Sequence, residues 1–426
     1  MSENPIRARF ASKADFLARS KRSWNPHKTQ FWQDAGVDLV IDRREGYCMY
    51  DWSGKRLINM HLNGGTYNLG HRNPELVQAL IDATQWFDIG NHHFAALART
   101  ALAEDLAATT GGRLHHTIYG SGGGEAVDIA LKTARHATKR RRIVSVRKGY
   151  HGHTGLALGT ADDRYSKPFL SDRPDEFTQV PFNDLDAMET ALRRRDAAAV
   201  IMETIPATYG FPMPATGYLP AVKGLCERYG AVYIADEVQT GLMRTGAMWA
   251  IDGYGVEPDI LVTAKGISGG LYTLGCVLVG EAHAGWLYED GFAHISTGGG
   301  AELGCCVAIK VLEISQRPEV QANVARIASF FTAELARVQA LYPDFFVGVR
   351  QNGLVMGLEF DHPEGAKHVM RRLYANGVWA IFSQLDPRVL QWKPGLLCTP
   401  ELCREIVDIL EQSVGEARAG LPAAAA

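Results

Sequence analysis

The chain has 426 residues, and its 44 lysines and arginines stand against 47 aspartates and glutamates, a formal net charge of −3. This balance excludes the basic excess of a nucleic-acid-binding protein, and 46% hydrophobic residues exclude a disordered chain. Seven cysteines without a Cys-x-x-Cys pair predict neither a disulfide framework nor a zinc site. No run approaches the roughly 20 apolar residues that cross a bilayer. The polar amino terminus lacks a signal-peptide core, so a cytoplasmic location is expected.

The first part of the chain is mixed, and then helices and strands alternate. A short strand is expected at residues 46–51. Apolar residues three and four apart predict helices at 74–86, 95–110 and 124–137. Short runs rich in Val and Ile predict buried strands at 142–146, 198–203, 231–236 and 259–263. The alternation predicts an α/β fold with a mostly parallel sheet that is covered on both faces.

The pattern changes beyond about residue 310. A helix at 301–315 is followed by shorter predicted elements, such as a strand at 354–360 and a helix at 400–417. We therefore predict a large domain over 61–310, and a small α+β domain built from residues 1–60 and 311–426. Residues 421–426 are expected to form a frayed tail.

Three glycines stand at the start of the predicted helix at 124–137. In open parallel sheets, ligands bind beyond the carboxyl ends of the strands, where loops such as this one lie. Gly122, Gly123 and Gly124 allow the backbone to approach an anion, and the free amides of the helix start point toward it. The segment therefore suits a phosphate group, although a simple tight turn has the same composition.

Asp236 and Lys265 end two apolar strands. A buried aspartate needs a cationic partner, and a protonated pyridine nitrogen is one; an ordinary helix cap or ion pair is the alternative. Desolvation lowers the pKa of a lysine and makes it a nucleophile toward aldehydes, whereas a surface lysine would stay protonated.

An aromatic residue with two histidines follows the strand at 142–146. Tyr150 is placed to stack on a flat ring. His151 and His153 raise the question of a metal site, but no third ligand stands at a suitable spacing, so no metal is predicted.

A phosphate cup, a stacking aromatic, an acid and a buried lysine are together the parts of a pyridoxal phosphate site. With these residues, the sequence resembles the class III (ornithine- and ω-amino acid-type) aminotransferases of fold type I over about residues 47–410. The resemblance rests on four further motifs: Gly70-His71-Arg72-Asn73-Pro74, the aspartate segment 234–246, the lysine segment 263–270, and Thr297 before three glycines.

The resemblance implies a role for each of these residues. Lys265 forms the Schiff base with pyridoxal phosphate and then moves the proton, while Asp236 keeps the ring nitrogen protonated. Tyr150 stacks on the ring, and Gln239 approaches its phenolic oxygen. Gly122, Gly123, Gly124 and Thr297 hold the phosphate, and Glu203 and Val238 complete the cofactor-binding set. Because Thr297 acts on the neighbouring subunit in the family, a homodimer or a dimer of dimers is expected.

The sequence departs from the family pattern at two places. The phosphate loop lacks two hydroxyl donors of the usual Asn-Ser-Gly-Thr-Glu-Ala, so backbone amides must bind more of the phosphate. The family's Arg-Phe-x-Pro-Pro-Leu is replaced by Gln391-Trp392-Lys393-Pro394-Gly395-Leu396, and Gln391 carries no charge. Glu203 thus lacks its usual partner. Arg388 and Lys393 are candidate substitutes that would meet a distal anion of the substrate; alternatively Lys393 is a surface residue and Gln391 merely packs.

Two reactions remain open from the sequence. The first is transamination of a small primary amine or ω-amino substrate. The second is β-elimination by an ammonia- or phospho-lyase acting on an aminoethyl phosphonate- or phosphate-type amine, because residues 203–212 resemble the family's lyase branch. A non-catalytic regulator would have lost Lys265 or Asp236, and a dehydrogenase would show Gly-x-Gly-x-x-Gly. The expected partner is a small molecule, not nucleic acid or a membrane.

Overall fold

The computed structural model describes residues 4–421, so the tail predicted beyond Leu421 lies outside the described part of the chain. Helices and short antiparallel strands form its amino-terminal part. They are α1 (Lys13–Ser23), α2 (Pro26–Asp34), β1 (Ile41–Glu45), β2 (Cys48–Asp51), β3 (Arg56–Asn59), α3 (Leu62–Gly65), α4 (Pro74–Ala83) and α5 (Leu97–Ala108).

The central part alternates strands and helices. Its elements are β4 (His116–Gly120), α6 (Gly123–Thr138), β5 (Arg142–Val146), α7 (Gly155–Thr160), α8 (Asp163–Ser166), β6 (Phe177–Val180), α9 (Leu185–Leu192), β7 (Ala197–Glu203), α10 (Tyr218–Tyr229), β8 (Val232–Asp236), β9 (Ile260–Thr263), β10 (Gly275–Val279), α11 (Gly285–Glu289) and α12 (Glu302–Ser315).

The carboxyl-terminal part has two long helices and short strands. Its elements are α13 (Pro318–Leu341), β11 (Phe346–Asn352), β12 (Val355–Phe360), α14 (Gly365–Asn376), β13 (Val378–Trp379), β14 (Ile381–Ser383), β15 (Asp386–Trp392) and α15 (Pro400–Ala419). The 24-residue α13 contradicts the shorter elements expected here.

A seven-stranded sheet forms the centre of the molecule, in the order β4-β10-β9-β8-β7-β5-β6. Strand β10 is antiparallel to both of its neighbours, and the other pairs are parallel. Every residue of β7, β8, β9 and β10 is buried, because helices such as α6 cover the sheet. The predicted α/β fold with a mostly parallel sheet is therefore confirmed.

Two four-stranded sheets lie outside the central one. The first has the order β1-β2-β3-β13 and joins strands from the two ends of the chain, with β13 parallel to β3. The second, β11-β12-β15-β14, is antiparallel and belongs to the carboxyl-terminal part. They form the smaller domain beside the central sheet, whereas the domain limits at residues 61 and 310 stay a prediction.

The register of the central sheet places two acids side by side. Glu203 pairs with Asp236 at the carboxyl ends of β7 and β8, and Asp236 pairs with Val262 of β9, shortly before Lys265. Parallel strands end at the same edge, so the loops that follow them converge there. Within residues 4–421, no helix combines the length and the apolar character that membrane crossing requires.

Candidate active site

A cavity of about 270 Å³ lies at this edge of the sheet. The predicted site residues line it, with the exception of Gly122 and Thr297. Four further residues that the sequence did not assign to the site also line it: His151, Gly152, His153 and Thr154. The structure therefore brings eight of the ten predicted residues together at one cavity from five separate loops.

Lys265 follows β9 with its backbone in the left-handed region, at φ 46°. A Cβ on Gly64 would lie 3.1 Å from Lys265 Cε, so the absence of a side chain at Gly64 makes room for the lysine. Burial lowers the pKa of Lys265, while the negative charges of Asp236 and Glu203 act in the opposite direction. A desolvated amine of this kind has a larger nucleophilic fraction than a surface lysine.

Asp236 is buried and is held by two protein donors. His151 Nδ1 lies 2.7 Å from its Oδ2, and the Val238 amide donates to its Oδ1 over 3.0 Å. His151 Nε2 is buried without a hydrogen-bond partner among the described residues. His151 and His153, which raised the question of a metal site, have different surroundings. His151 contacts Asp236, whereas His153 lies exposed between the rings of Tyr150 and Tyr165.

Glu203 is buried, and burial raises the pKa of its carboxyl to about 7. It is not without partners, as the loss of the family arginine had suggested. The amides of Tyr150 and Ala207 donate to its two oxygens over 2.9 and 3.0 Å. Backbone groups thus satisfy the carboxyl group without an arginine, and the first of them fixes the loop that carries Tyr150.

The glycine-rich loop leads into the amino terminus of α6. A Cβ on Gly124 would lie 2.8 Å from Thr154 Oγ1, and one on Gly152 would lie 2.7 Å from Gly124 Cα. Only glycines permit this approach of two loops. The Ser121 hydroxyl donates to Glu125 over 2.6 Å, so it is occupied within the protein. Free amides at the start of a long helix remain as the anion-binding groups.

The segment from Arg388 to Lys393 differs from both alternatives that the sequence left open for it, an anion-binding pair of cations and a surface lysine beside a packed glutamine. Lys393 is fully buried, so the surface assignment is wrong. Arg388 is 44% exposed and pairs with Glu359, which directs its charge to the surface. Gln391 donates from Nε2 to the Ala207 carbonyl and accepts from Lys393 through Oε1. The amide of Gln391 is therefore occupied within the protein.

Thr297 is exposed and lies outside the lining of this cavity. Its loop passes close to the glycine-rich loop, since a Cβ on Gly298 would lie 3.8 Å from Ser121 Cβ. The loop of Thr297 thus lies beside the glycine-rich loop, and Thr297 itself does not line the cavity.

The cavity fits pyridoxal phosphate. Its helix amides suit the phosphate, Tyr150 is available for the ring face, and the carboxylate–histidine pair suits a protonated ring nitrogen. The buried amine of Lys265 completes the set that this cofactor requires.

Known proteins resemble the chain in sequence and in fold. The family model for class-III aminotransferases matches residues 32–414. An uncharacterized aminotransferase of Archaeoglobus fulgidus is 42% identical over 385 residues, which are 90% of each chain. N-acetylornithine aminotransferase of Stenotrophomonas maltophilia K279a is 25% identical with a TM-score of 0.78, over 92% of this chain and 100% of that one.

Ornithine aminotransferase of Toxoplasma gondii ME49 is 24% identical with a TM-score of 0.86, over 99% of this chain and 100% of that one. A second structure of the Toxoplasma enzyme, equally similar over 98% and 99% of the two chains, has pyridoxal phosphate at partial occupancy in its active site. These relatives are aminotransferases and do not favour the lyase alternative. The chain therefore belongs to the class-III aminotransferases, the pyridoxal phosphate-dependent transaminases of fold type I.

Proposed function

We propose that the protein transfers the amino group of a small primary amine or ω-amino compound to a keto acid, with Lys265 as its central catalytic residue. The observation that carries this proposal is the convergence of Lys265, Asp236 and Glu203 on one cavity at adjacent strand ends. When bound, pyridoxal phosphate supplies an aldehyde carbon for the amine and a ring that takes up electrons from Cα.

Lys265 has two tasks in this proposal. Its Nζ would hold the cofactor until an amine substrate takes its place. The freed Nζ would then take the Cα proton of the amine donor and, in the second half of the transfer, deliver a proton to the carbonyl carbon of the keto acid. Its lowered pKa supports both tasks, because a neutral amine is needed as nucleophile and as base.

Asp236 would keep a proton on the ring nitrogen of the cofactor. The His151 hydrogen bond orients its carboxylate and leaves the residue little freedom to turn away. Tyr150 and Val238 line the cavity and would contact the ring. The amides around Gly122, Gly123 and Gly124 would hold the phosphate at the positive end of α6.

The substrate is proposed to lack an α-carboxylate that position 391 must grip. Gln391 is uncharged, and both ends of its amide are engaged by Ala207 and Lys393. An α-carboxylate placed there would lose roughly 1.5–3 kcal/mol of charge-assisted hydrogen bonding relative to an arginine.

The reaction is tested by incubating the purified holoenzyme with candidate amines, with and without pyruvate or 2-oxoglutarate. We expect the cofactor to convert to its aminated form in a single turnover without keto acid. Continued product formation should then require the keto acid. Catalytic release of ammonia or phosphate without keto acid would contradict the proposal, and Lys265→Ala serves as the inactive control.

We also propose that the protein acts as a homodimer in which Thr297 reaches the phosphate of the partner's cofactor. Exposed apolar side chains support an interface: Trp86 is 82%, Phe94 72% and Leu97 80% exposed. The ring of His93 lies 5.9 Å from that of Phe292, so the segment with Phe94 contacts the segment that leads to Thr297. A surface of this kind is typical of a protein–protein contact.

Mixed dimers distinguish the two possible positions of Thr297. Lys265→Ala and Thr297→Ala chains are each expected to be impaired alone. If Thr297 acts on the partner, a mixed dimer contains one site with an intact lysine and an intact threonine, and activity returns. If mixing restores nothing, although mixed dimers form, Thr297 acts within its own chain. A monomer by light scattering would contradict the dimer itself.

A further inference from the structure

Lys393 is a buried lysine beside the proposed active site. It follows the last residue of β15, and its amide donates to the Met60 carbonyl over 2.9 Å, which fixes the backbone. Its side chain is fully buried, whereas lysine is among the residues least often buried. Such a position calls for a partner that compensates the charge.

The partners of the Lys393 amine are neutral. Nζ donates to Gln391 Oε1 over 2.5 Å and to Gln239 Oε1 over 3.0 Å, and it lies 5.2 Å from the ring centre of Phe211. No carboxylate among residues 4–421 lies within ion-pair distance of it. Desolvating an ammonium group against neutral acceptors costs free energy that an anion would offset.

Two partly buried lysines of the chain have such an anion. Lys223 lies 2.8 Å from Asp259, and Lys13 lies 2.8 Å from Asp38 and 2.9 Å from Asp51. Lys393 is buried more deeply than either of them, yet it is bonded to two glutamines. The missing negative charge therefore points to a ligand.

The charged groups around Lys393 do not supply that balance. Burial is the main reason for its strongly lowered pKa, and the positive charges of Arg244 and Lys265 lower the pKa further. Glu203 acts in the opposite direction without contacting the amine. Burial and the charges of Lys393 and Lys265 also hold the pKa of the neighbouring His61 well below its usual value.

The contact with Lys393 also orients Gln239. The amine donates to the Gln239 amide oxygen, and an anion bound in the cavity would favour its protonated form, which only donates hydrogen bonds and keeps that oxygen facing Lys393. The amide NH₂ is then left for the cavity, which Gln239 lines. The Gln239 amide could be turned in either of two orientations, and the contact with Lys393 selects the one in which its NH₂ group faces the cavity.

We propose that Lys393 is a positioning residue that fixes the Gln239 NH₂ toward the cavity and places a positive charge behind it, so that the site binds an anionic oxygen at Gln239. The oxygen belongs either to the ring phenolate of the cofactor or to a substrate carboxylate. The inference rests on the proposed transaminase function and adds an electrostatic selection for ligands that bring negative charge.

The first arm of the test examines the cofactor oxygen without substrate. The visible absorption of the holoenzyme is titrated with pH for wild type, Lys393→Met and Lys393→Arg. Removing a positive charge disfavours an anionic oxygen, so Lys393→Met should raise the midpoint by on the order of one pH unit. Lys393→Arg should restore most of the difference, and Lys55→Met, which removes a lysine bonded to the Tyr374 carbonyl, should match wild type.

The second arm examines the substrate oxygen. Kinetics with 5-aminopentanoate are compared with those of pentylamine, which lacks the carboxylate. If the carboxylate binds at Gln239, Lys393→Met should raise KM for 5-aminopentanoate about 10-fold, the size of one charge-assisted hydrogen bond, and leave pentylamine unchanged. If Lys393→Met changes KM for the two amines equally, a carboxylate at Gln239 is rejected and the first arm decides alone.

A double-mutant cycle tests whether Lys393 acts through Gln239. The effect of Lys393→Met should largely disappear in a Gln239→Leu background. If Lys393→Met does not fold, Gln239→Glu replaces it, because the new carboxylate pairs with Lys393 but removes the NH₂ donor. It should disfavour an anionic oxygen in the same direction.

The outcomes separate this inference from the proposed function. A wild-type protein that transfers amino groups, with unchanged midpoint and KM in the variants, overturns only the role of Lys393. An effect that persists fully without Gln239 also overturns it. A loss of Tm without either functional change assigns Lys393 a structural role. A wild-type protein that neither binds pyridoxal phosphate nor transfers an amino group overturns the proposed function itself.

Discussion

Two acids line the cavity and form the acidic side of the site, whereas two buried cations outside its lining form the basic side, and the two sides are built in opposite ways. On the acidic side, Asp236 and Glu203 receive hydrogen bonds from protein donors on each of their oxygens. On the basic side, Lys393 and Arg244 are fully buried and donate only to neutral oxygens. The acids are thus compensated within the protein, whereas the cations are not.

Arg244 shows the same imbalance as Lys393. One terminal nitrogen donates to the Pro394 carbonyl over 2.6 Å, the other donates to the Leu354 carbonyl, and Nε has no partner among the described residues. Burial lowers the pKa of its guanidinium to about 10. A phosphate-bearing cofactor brings negative charge, so the imbalance is consistent with a site that is electrostatically complete only with its ligands.

The largest expected effect follows from removing the amine of Lys265. Lys265→Ala leaves the acidic side intact but removes the group that holds the cofactor and moves the proton. We expect turnover to fall by about 10²–10⁴-fold or to vanish. Borohydride reduction followed by mass spectrometry should find no cofactor attached to the variant. A reducible adduct in Lys265→Ala would place the attachment on another residue.

A smaller loss is expected when the acidic side is neutralised. Asp236→Asn keeps the shape of the side chain but stabilises a protonated ring nitrogen poorly. The rate should fall about 10²-fold while the cofactor still binds. Single-turnover conversion of the cofactor, followed by absorbance, measures this step. Near-normal conversion would contradict the role of the carboxylate.

The positions of Asp236 and Lys265 were predictable from the sequence, whereas the burial of Lys393 was not. Asp236 and Lys265 end short Val- and Ile-rich runs, and parallel strands bring their ends to one edge regardless of the rest of the chain. The burial of Lys393 depends on pairing with Met60, more than 300 residues away, and no local pattern reports such a contact.

The same distinction explains one of two other differences. His151 was visible as a residue, but its contact with Asp236 joins loops that follow different strands. The long helix α13 is a different case, because its buried residues stand three and four apart and were therefore a readable signal: Val320, Val324, Ile327, Phe331, Leu335 and Val338. Local periodicity predicts elements, whereas contacts between distant elements require the folded chain.

The two histidines of the site give a more finely graded test of the acidic side. His151→Phe removes the donor to Asp236 Oδ2, and His153→Phe changes an exposed ring nearby. We expect about a 10-fold loss of rate for His151→Phe, because a charge-assisted hydrogen bond is lost, and little change for His153→Phe. Equal effects of the two changes in single-turnover experiments would contradict the orienting role of His151.

The smallest expected effect is a pH dependence that distinguishes two glutamates with similarly raised carboxyl pKa values. Burial raises the pKa of both Glu203 and Glu237 to about 7. Only Glu203 lines the cavity; Glu237 instead accepts from Thr204, Thr240, and the amides of Ala250 and Ile251. Their titration should therefore affect stability alike and function differently.

The sign of the stability effect follows from the raised pKa values. Each folded carboxyl holds its proton more tightly than the unfolded one, so its contribution to stability is complete below about pH 4.5 and is lost as the pH rises to about 7. The loss amounts to on the order of 3 kcal/mol per carboxyl.

Glu203→Gln and Glu237→Gln do not titrate, so the free energy of unfolding of each variant should fall less than that of wild type between about pH 5 and pH 8. Urea unfolding at the two pH values measures this, and the pH profile of amine transfer per folded protein should differ from that of wild type only in Glu203→Gln, which has lost the titrating carboxyl in the cavity. A wild-type pH dependence of stability in both variants would show that these carboxyls ionise normally.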